Sequence, residues 1–153
     1  MQAKYISYKK ALNKAKYLCS KAEKCKSDIR QKFYAWKVNP SEHDKIIKQL
    51  EEQKFIDEER FVKYYVRDKF EFNKWGKIKI RTMLFQKKIP ETLINNELKK
   101  ISEDKYREML EYLIKQKRKS IKDEYNIQIK SKLMRFAASK GYEPELILSV
   151  LEK

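Results

Sequence analysis

Glycine occurs twice and proline three times in 153 residues, and this scarcity of backbone punctuation constrains the fold more than any other feature of the chain. Sheet proteins need many turns, and turns draw heavily on both residues, whereas long helices joined by short connections need few of either. The apolar pattern agrees. Tyr8, Ala11, Leu12 and Ala15 fall at i, i+3, i+4 and i+7, as do Tyr106, Met109, Leu110 and Leu113. Ile80, Met83 and Leu84 form a third such stripe, closed by the alkyl stem of Lys87. Each stripe needs a partner helix to cover it, so the expected fold is all-α.

The prolines are not scattered. With Val38, Ile89 and Tyr142 as anchors, Pro40, Pro90 and Pro144 follow by two, one and two residues, near helix starts where the missing N–H costs nothing. Nine residues after each anchor stand Ile47, Leu98 and Leu151, and nine before stand Ile29, Ile80 and Leu133. Five before are Phe33, Leu84 and Ala137. The anchors lie 51 and 53 residues apart, which predicts three tandem three-helix repeats, 1–56, 57–102 and 103–153. First helices are expected near 5–20, 57–74 and 103–121, second helices near 22–37, 77–88 and 123–140, and third helices near 41–55, 90–102 and 143–152. Units of this size share a core at their junctions, so an elongated, curved array is expected.

Thirty-eight Lys and Arg against 22 Asp and Glu give a net charge of +16, which calls for a polyanionic partner or an acidic protein surface. The excess is uneven: +9 over residues 1–37, −1 over 38–56, +5 over 57–102 and +3 over 103–153. Lys69, Lys74, Lys77, Lys79, Arg81, Lys87 and Lys88 surround Trp75 in the middle repeat, and Lys115, Lys117, Arg118, Lys119 and Lys122 form a second group. Bases at this density track phosphates without reading sequence, although charge runs also serve simply to solvate a face. Trp75 suits base stacking and core packing alike. On α-helical geometry Lys77 and Arg81 share one face and Lys79 lies toward the opposite one, so at least two of the three are expected to be exposed.

Enzyme classes find little support. Gly76 and Gly141 alone cannot build a phosphate-cradling loop, and His43, the single histidine, has no accompanying nucleophile motif. Cys19, Cys25 and His43 cannot furnish the four soft ligands of a structural zinc site. No cofactor, metal site or catalytic residue is predicted. No apolar run approaches the roughly 20 residues that span a bilayer, and the opening MQAKYISYKK lacks a signal-peptide core, so a cytoplasmic protein is expected.

One stretch, IDEERFVKYYVRDKF, concentrates acid in a basic chain. Asp57 suits an N-cap, and Glu58 and Glu59 complement the positive end of a helix dipole. Arg60 lies within helical reach of Asp57 and Tyr64, and Phe61 and Tyr65 sit one turn apart as core. These residues are expected to fasten the central repeat rather than to catalyse.

The segment Phe55 to Phe61, FIDEERF, resembles the most recognisable motif of the RecX family, regulators of the RecA recombinase. Trp75 to Arg81, continuing through Leu84 and Lys87, is similar to the family's glycine followed by an Ile-Arg-x-x-Leu helix. Leu133 to Tyr142, with Ile147 and Leu151, is similar to its C-terminal repeat, and Asp28 to Phe33 matches more weakly. Lys54 and Lys88 depart from the pattern, standing where the family commonly has a helix-closing glycine, and Cys25 stands where it often has a serine cap. The resemblance implies three tandem three-helix repeats that dock in the groove of a RecA filament on DNA and restrain RecA's ATP hydrolysis, strand exchange and coprotease activity, and a monomer is expected. It marks Asp57, Glu59, Arg60, Phe61, Gly76 and Gly141 as mainly structural motif residues. The reading from composition alone is different in class: a sequence-indifferent helical DNA or RNA binder acting without RecA.

Overall fold

Local capping chemistry sets the helix boundaries. The computed structural model describes residues 4–122 and 125–152. Helix α1, Tyr8–Lys21, starts three residues later than predicted because the Ser7 hydroxyl accepts the Lys10 N–H at 3.1 Å. Helix α2, Lys26–Ala35, starts four later than predicted, where the Asp28 carboxylate reaches back to the Cys25 N–H at 3.2 Å. Pro40–Glu42 form a 3-10 turn that feeds α3, His43–Glu52. The Asp57 carboxylate accepts the Arg60 N–H at 3.1 Å and so opens α4, Glu58–Glu71. Next come α5, Lys77–Gln86, and α6, Glu91–Leu98, with Pro90 at its N-cap. Ser102 caps α7, Glu103–Ser120, through the Lys105 N–H. Helix α8, Asn126–Ser139, and α9, Pro144–Leu151, complete the order. The predicted start at residue 123 lies outside the described residues. Among these, the only extended pairing is one parallel bridge between Ile6 and Val38, and no helix is long and apolar enough to cross a membrane.

The repeat positions carry the core. Val38, Ile89 and Tyr142 are buried, as are Ile29, Ile80 and Leu133 nine residues before them and Phe33, Leu84 and Ala137 five before. Ile47 and Leu98 are buried nine after, while Leu151, near the chain end, is only half-buried. The residue before each anchor closes the second helix in the left-handed region: Lys37 at φ 60°, Lys88 at φ 61° and Gly141 at φ 97°. After α2 the Val38 N–H reaches the Phe33 carbonyl and the Lys37 N–H that of Tyr34. After α8 the pairs are Tyr142 to Ala137 and Gly141 to Ala138. Both are six-to-one and five-to-two closures that satisfy the last carbonyls of a helix. Lys54, at φ 64°, ends α3 in the same way. The lysines that depart from the glycine pattern therefore keep the turn that glycine would make.

Two compact units divide the described residues, each with its own buried set. In the unit of residues 1–64 with 87–89, α1, α2 and α3 enclose Ala11, Leu12, Ala15, Ile29, Phe33 and Ile46, with Ile56 from the following turn. Complete burial of side chains such as Ile29 and Phe33 contributes roughly 1.5–3 kcal/mol each. His43 is buried there: its ring lies 5.0 Å from Phe33, and its Nε2 donates to the Val38 carbonyl at 3.1 Å. In the unit of residues 65–86 with 90–153, α7, α8 and α9 pack together and bury Leu110, Leu113, Leu133 and Ile147. Tyr106 stacks on Tyr142 at 5.0 Å and tilts against Phe70 at 6.0 Å.

Candidate nucleic-acid interface

The acidic stretch that opens α4 reaches residues far away in sequence. Arg60 does not pair with Asp57 or Tyr64 as the helical spacing suggests; its guanidinium goes to Glu23 at 2.6 Å and to the carbonyls of Lys54 and Phe55 at 3.2 and 3.4 Å. Those carbonyls follow α3 and need donors, and a guanidinium supplies several in one plane. The Glu58 carboxylate accepts the Lys26 N–H at 3.2 Å and so serves the open N-terminus of α2. Burial pushes the Glu58 carboxyl up even against that hydrogen bond. Phe61 and Tyr65 are buried and Glu59 is exposed. The motif thus ties α4 to the ends of α2 and α3.

Lys87 and Lys88 belong to this same unit. Lys87 pairs with Asp28 at 2.7 Å. Burial alone would raise the Asp28 carboxyl, but the Lys87 ammonium and the Cys25 N–H hold it below the ordinary aspartate value. Lys88 is exposed.

The other unit is built on a backbone crossing. Gly76 donates its N–H to the Lys140 carbonyl at 2.7 Å, and Ile78 donates to the Gly141 carbonyl at 3.0 Å. The end of α8 therefore satisfies the start of α5 directly, main chain to main chain. A Cβ on Gly76 would lie 2.3 Å from the Gly141 oxygen, and one on Gly141 would lie 2.4 Å from the Lys79 Cβ. The chain's two glycines are the two residues that touch here. Tyr106 completes the joint: its hydroxyl accepts the Lys77 N–H at 2.8 Å and donates to the Glu143 carboxylate. Burial, then that carboxylate, raise the Tyr106 hydroxyl far above its usual pKa. The Tyr142 hydroxyl donates to the Lys74 carbonyl at 3.1 Å.

This joint decides where the basic side chains go. Lys79 lies over the Trp75 ring at 4.5 Å, Lys69 at 5.1 Å, and Lys77 over Tyr106 at 4.8 Å. Lys77 and Lys79 are consequently half-buried, and of the three cations opening α5 only Arg81 is exposed, bonding Asn95 at 3.3 Å. The expected exposure of at least two does not hold, because ammonium groups near an aromatic face gain attraction by lying on it. Lys74 is half-buried, at φ 61°, with its ammonium toward the Phe72 carbonyl at 3.5 Å.

The second group gathers more closely than the sequence indicated. Lys115, Arg118 and Lys119 are exposed on the last turns of α7, and Lys117 lies over Phe136 of α8 at 5.2 Å. Alongside runs a groove of about 500 Å³ lined by Lys117, Ser120, Ile121, Lys122, Lys132, Arg135 and Phe136. Lys132 and Arg135, on α8, were not singled out by sequence; their spacing of three residues places them on one helix face, the only signal available.

Comparison with known proteins adds the family. Residues 57–98 match the description "RecX, second three-helix domain", and residues 103–151 match "RecX, third three-helix domain". The Regulatory protein RecX of Clostridium tetani is 32% identical over 149 residues, covering 96% of this chain and 68% of that protein. Its counterpart in Clostridium beijerinckii is 27% identical over 138 residues, covering 89% of this chain and 64% of its own length. The crystal structure of RecX from Lactobacillus salivarius superposes with a TM-score of 0.81 at 17% identity, covering 94% of both chains.

Proposed function

The chain belongs to the RecX family of regulatory proteins, and from that premise we propose that it binds RecA filaments on DNA and restrains their ATPase, strand-exchange and coprotease activities. One observation carries the reading: two of the family's three-helix domains match in tandem in a chain of net charge +16, the charge a nucleoprotein filament attracts. The repeats 1–56, 57–102 and 103–153 are its working parts, and the protein acts in the cytoplasm as a monomer.

Exposed Arg81, Lys88, Lys115, Arg118 and Lys119 make the contacts to RecA or DNA. The half-buried Lys69, Lys74, Lys77, Lys79, Lys87 and Lys117 contribute mainly to the surrounding positive potential. Asp57, Glu59, Arg60, Phe61, Gly76 and Gly141 act through architecture. The test is a RecA ATPase titration on single-stranded DNA. Inhibition is expected at amounts of protein far too small to coat the strand. Inhibition only at coating amounts would replace this reading with that of a nonspecific nucleic-acid binder.

A further inference from the structure

We propose that the outer face of α1 is a docking surface for the backbone of duplex DNA, along which Lys10, Lys14 and Lys21 follow the phosphates of one strand. The face adds to the contacts assigned above, and its test needs no recombinase.

Three observations meet there. First, α1 carries charge that the surrounding acids do not answer. Residues 1–22 hold six lysines and no Asp or Glu. The two acids of residues 1–37 serve cations from farther along the chain, Glu23 taking Arg60 and Asp28 taking Lys87. Acids of α3 take Lys26 and Arg30. Among the described residues no lysine of α1 has an ion pair.

Second, these lysines are placed against the electrostatics of their own helix. Lys9 and Lys10 stand in the first turn, at the positive end of the dipole, and that turn has no acid. Lys10 and Lys14 are a like-charge pair at i, i+4. Both arrangements destabilise a helix, and a polyanion laid along it relieves both.

Third, geometry and residue type fit a chain of phosphates. Lys10, Lys14, Tyr17 and Lys21 fall at i, i+4, i+7 and i+11, opposite buried Ala11, Leu12 and Ala15, and all four are exposed. The row spans about 16 Å at an α-helical rise of roughly 1.5 Å per residue. The bases of α1 are all lysines. Interfaces between proteins are depleted in lysine and enriched in arginine, whereas lysine, a flexible point charge, meets phosphates without reading sequence. The Lys14 ammonium lies over the Trp36 ring at 4.7 Å and that of Lys21 over Tyr17 at 5.2 Å. With ammonium groups on these rings, charge rather than base stacking governs the face. Duplex DNA, carrying one charge per roughly 1.7 Å of axis, is then the favoured form.

The experiment is fluorescence anisotropy of the full chain with a labelled mixed-sequence duplex and with oligo-dT of the same length. K10Q/K14Q/K21Q removes the row, K10R/K14R/K21R keeps its charge, and K45Q/K48Q/K63Q removes the same charge from exposed positions elsewhere in the same unit. Circular dichroism checks folding, and the glutamine row variant is expected to melt within about 5 °C of the parent, since its lysines hold no acid. It is expected to lose about tenfold or more in duplex affinity and to lower the salt slope by about 2.7, three phosphate contacts at roughly 0.9 each. The arginine variant should bind within about threefold of the parent, the control should lose less than about threefold, and oligo-dT should bind more weakly than the duplex. Acetylation footprinting of the parent protein needs no variant: the duplex should slow labelling of Lys10, Lys14 and Lys21 about threefold or more and leave Lys45 and Lys48 unchanged. Equal losses in the glutamine row variant and the control would mean that net charge alone binds, and the proposal falls. It falls also if the arginine variant loses as much as the glutamine one, or if the duplex leaves the three lysines labelled as before. Duplex binding by the glutamine variant at the parent's affinity sinks it too, including the case in which that variant loses RecA inhibition, since the face then meets protein. Tighter binding of oligo-dT than of duplex would overturn the duplex assignment.

Discussion

The two units are fastened by different means. In the unit of residues 1–64 with 87–89, charged side chains hold the helix ends: Arg60 on Glu23 and on two carbonyls after α3, Glu58 on the N-terminus of α2, and Lys87 on Asp28. In the other unit the central tie is main chain to main chain, with Gly76 and Ile78 donating to the carbonyls of Lys140 and Gly141, and the Tyr106 and Tyr142 hydroxyls flank it. The contrast shows what glycine is for in this chain. Lys37, Lys54 and Lys88 take the same left-handed turn as Gly141, so the turn does not require glycine. The close approach does: only at Gly141 does the Lys79 backbone N lie 2.6 Å from where a Cβ would be.

The hardest test of this contrast is Gly141→Ala. The new methyl group must displace the main chain of Lys79, which opens the hydrogen bonds from Gly76 and Ile78. A loss of about 3 kcal/mol or more in urea unfolding is expected, in the range of severe overpacking. Lys37→Ala, at a left-handed turn without such a crossing, should cost less than about 0.5 kcal/mol. Similar costs for the two would mean that the turn, not the crossing, selects glycine.

Asp28→Asn tests the charged fastening. The Lys87 ammonium would lose a half-buried partner, with an expected cost of about 1.5 kcal/mol at neutral pH, discounted for partial exposure. The sign with pH follows from the lowered carboxyl. Its stabilisation is complete above an ordinary aspartate's pKa of about 4 and fades as pH falls through the lower folded value. The gap between variant and parent should therefore close in acid, as read from urea midpoints between pH 7 and 2. A gap that persists at pH 2 would assign the loss to packing instead.

What could be read from sequence, and what could not, divides along the same line. Periodicity and the spacing of the prolines located the anchors, their flanking core residues and the Asp57 cap, because each depends on residues a few positions apart. The partners of Arg60 and Gly76 stand 37 and 64 residues away, at Glu23 and Lys140, and no local pattern carries that information. Helical spacing places Lys77 and Lys79 on different faces of α5, but their exposure depends on rings supplied by Tyr106 and Trp75. The groove at α7 and α8 needs the pairing of two helices to bring Lys122 near Lys132 and Arg135.

The smallest expected effect carries the sharpest version of the comparison. If the left-handed turns of the first unit are merely tolerated by lysine, replacing Lys37 and Lys88 by glycine should relieve them. A non-glycine residue in that region costs about 1 kcal/mol, but glycine gives back part of the gain through the larger entropy of its unfolded chain. Each lysine also lends a positive charge to a helix C-terminus, about 0.3 kcal/mol or more at low salt. The double variant should therefore gain roughly 0.5–1 kcal/mol in total, seen as a higher urea midpoint at constant slope. Raising the salt to about 0.5 M screens the dipole contribution and leaves the backbone relief untouched, so the gain should grow. A gain that shrinks with salt would contradict this balance. A loss of stability at either salt would show that these two lysine side chains make contacts of their own, and the first unit would then need its lysines as strictly as the second needs its glycines.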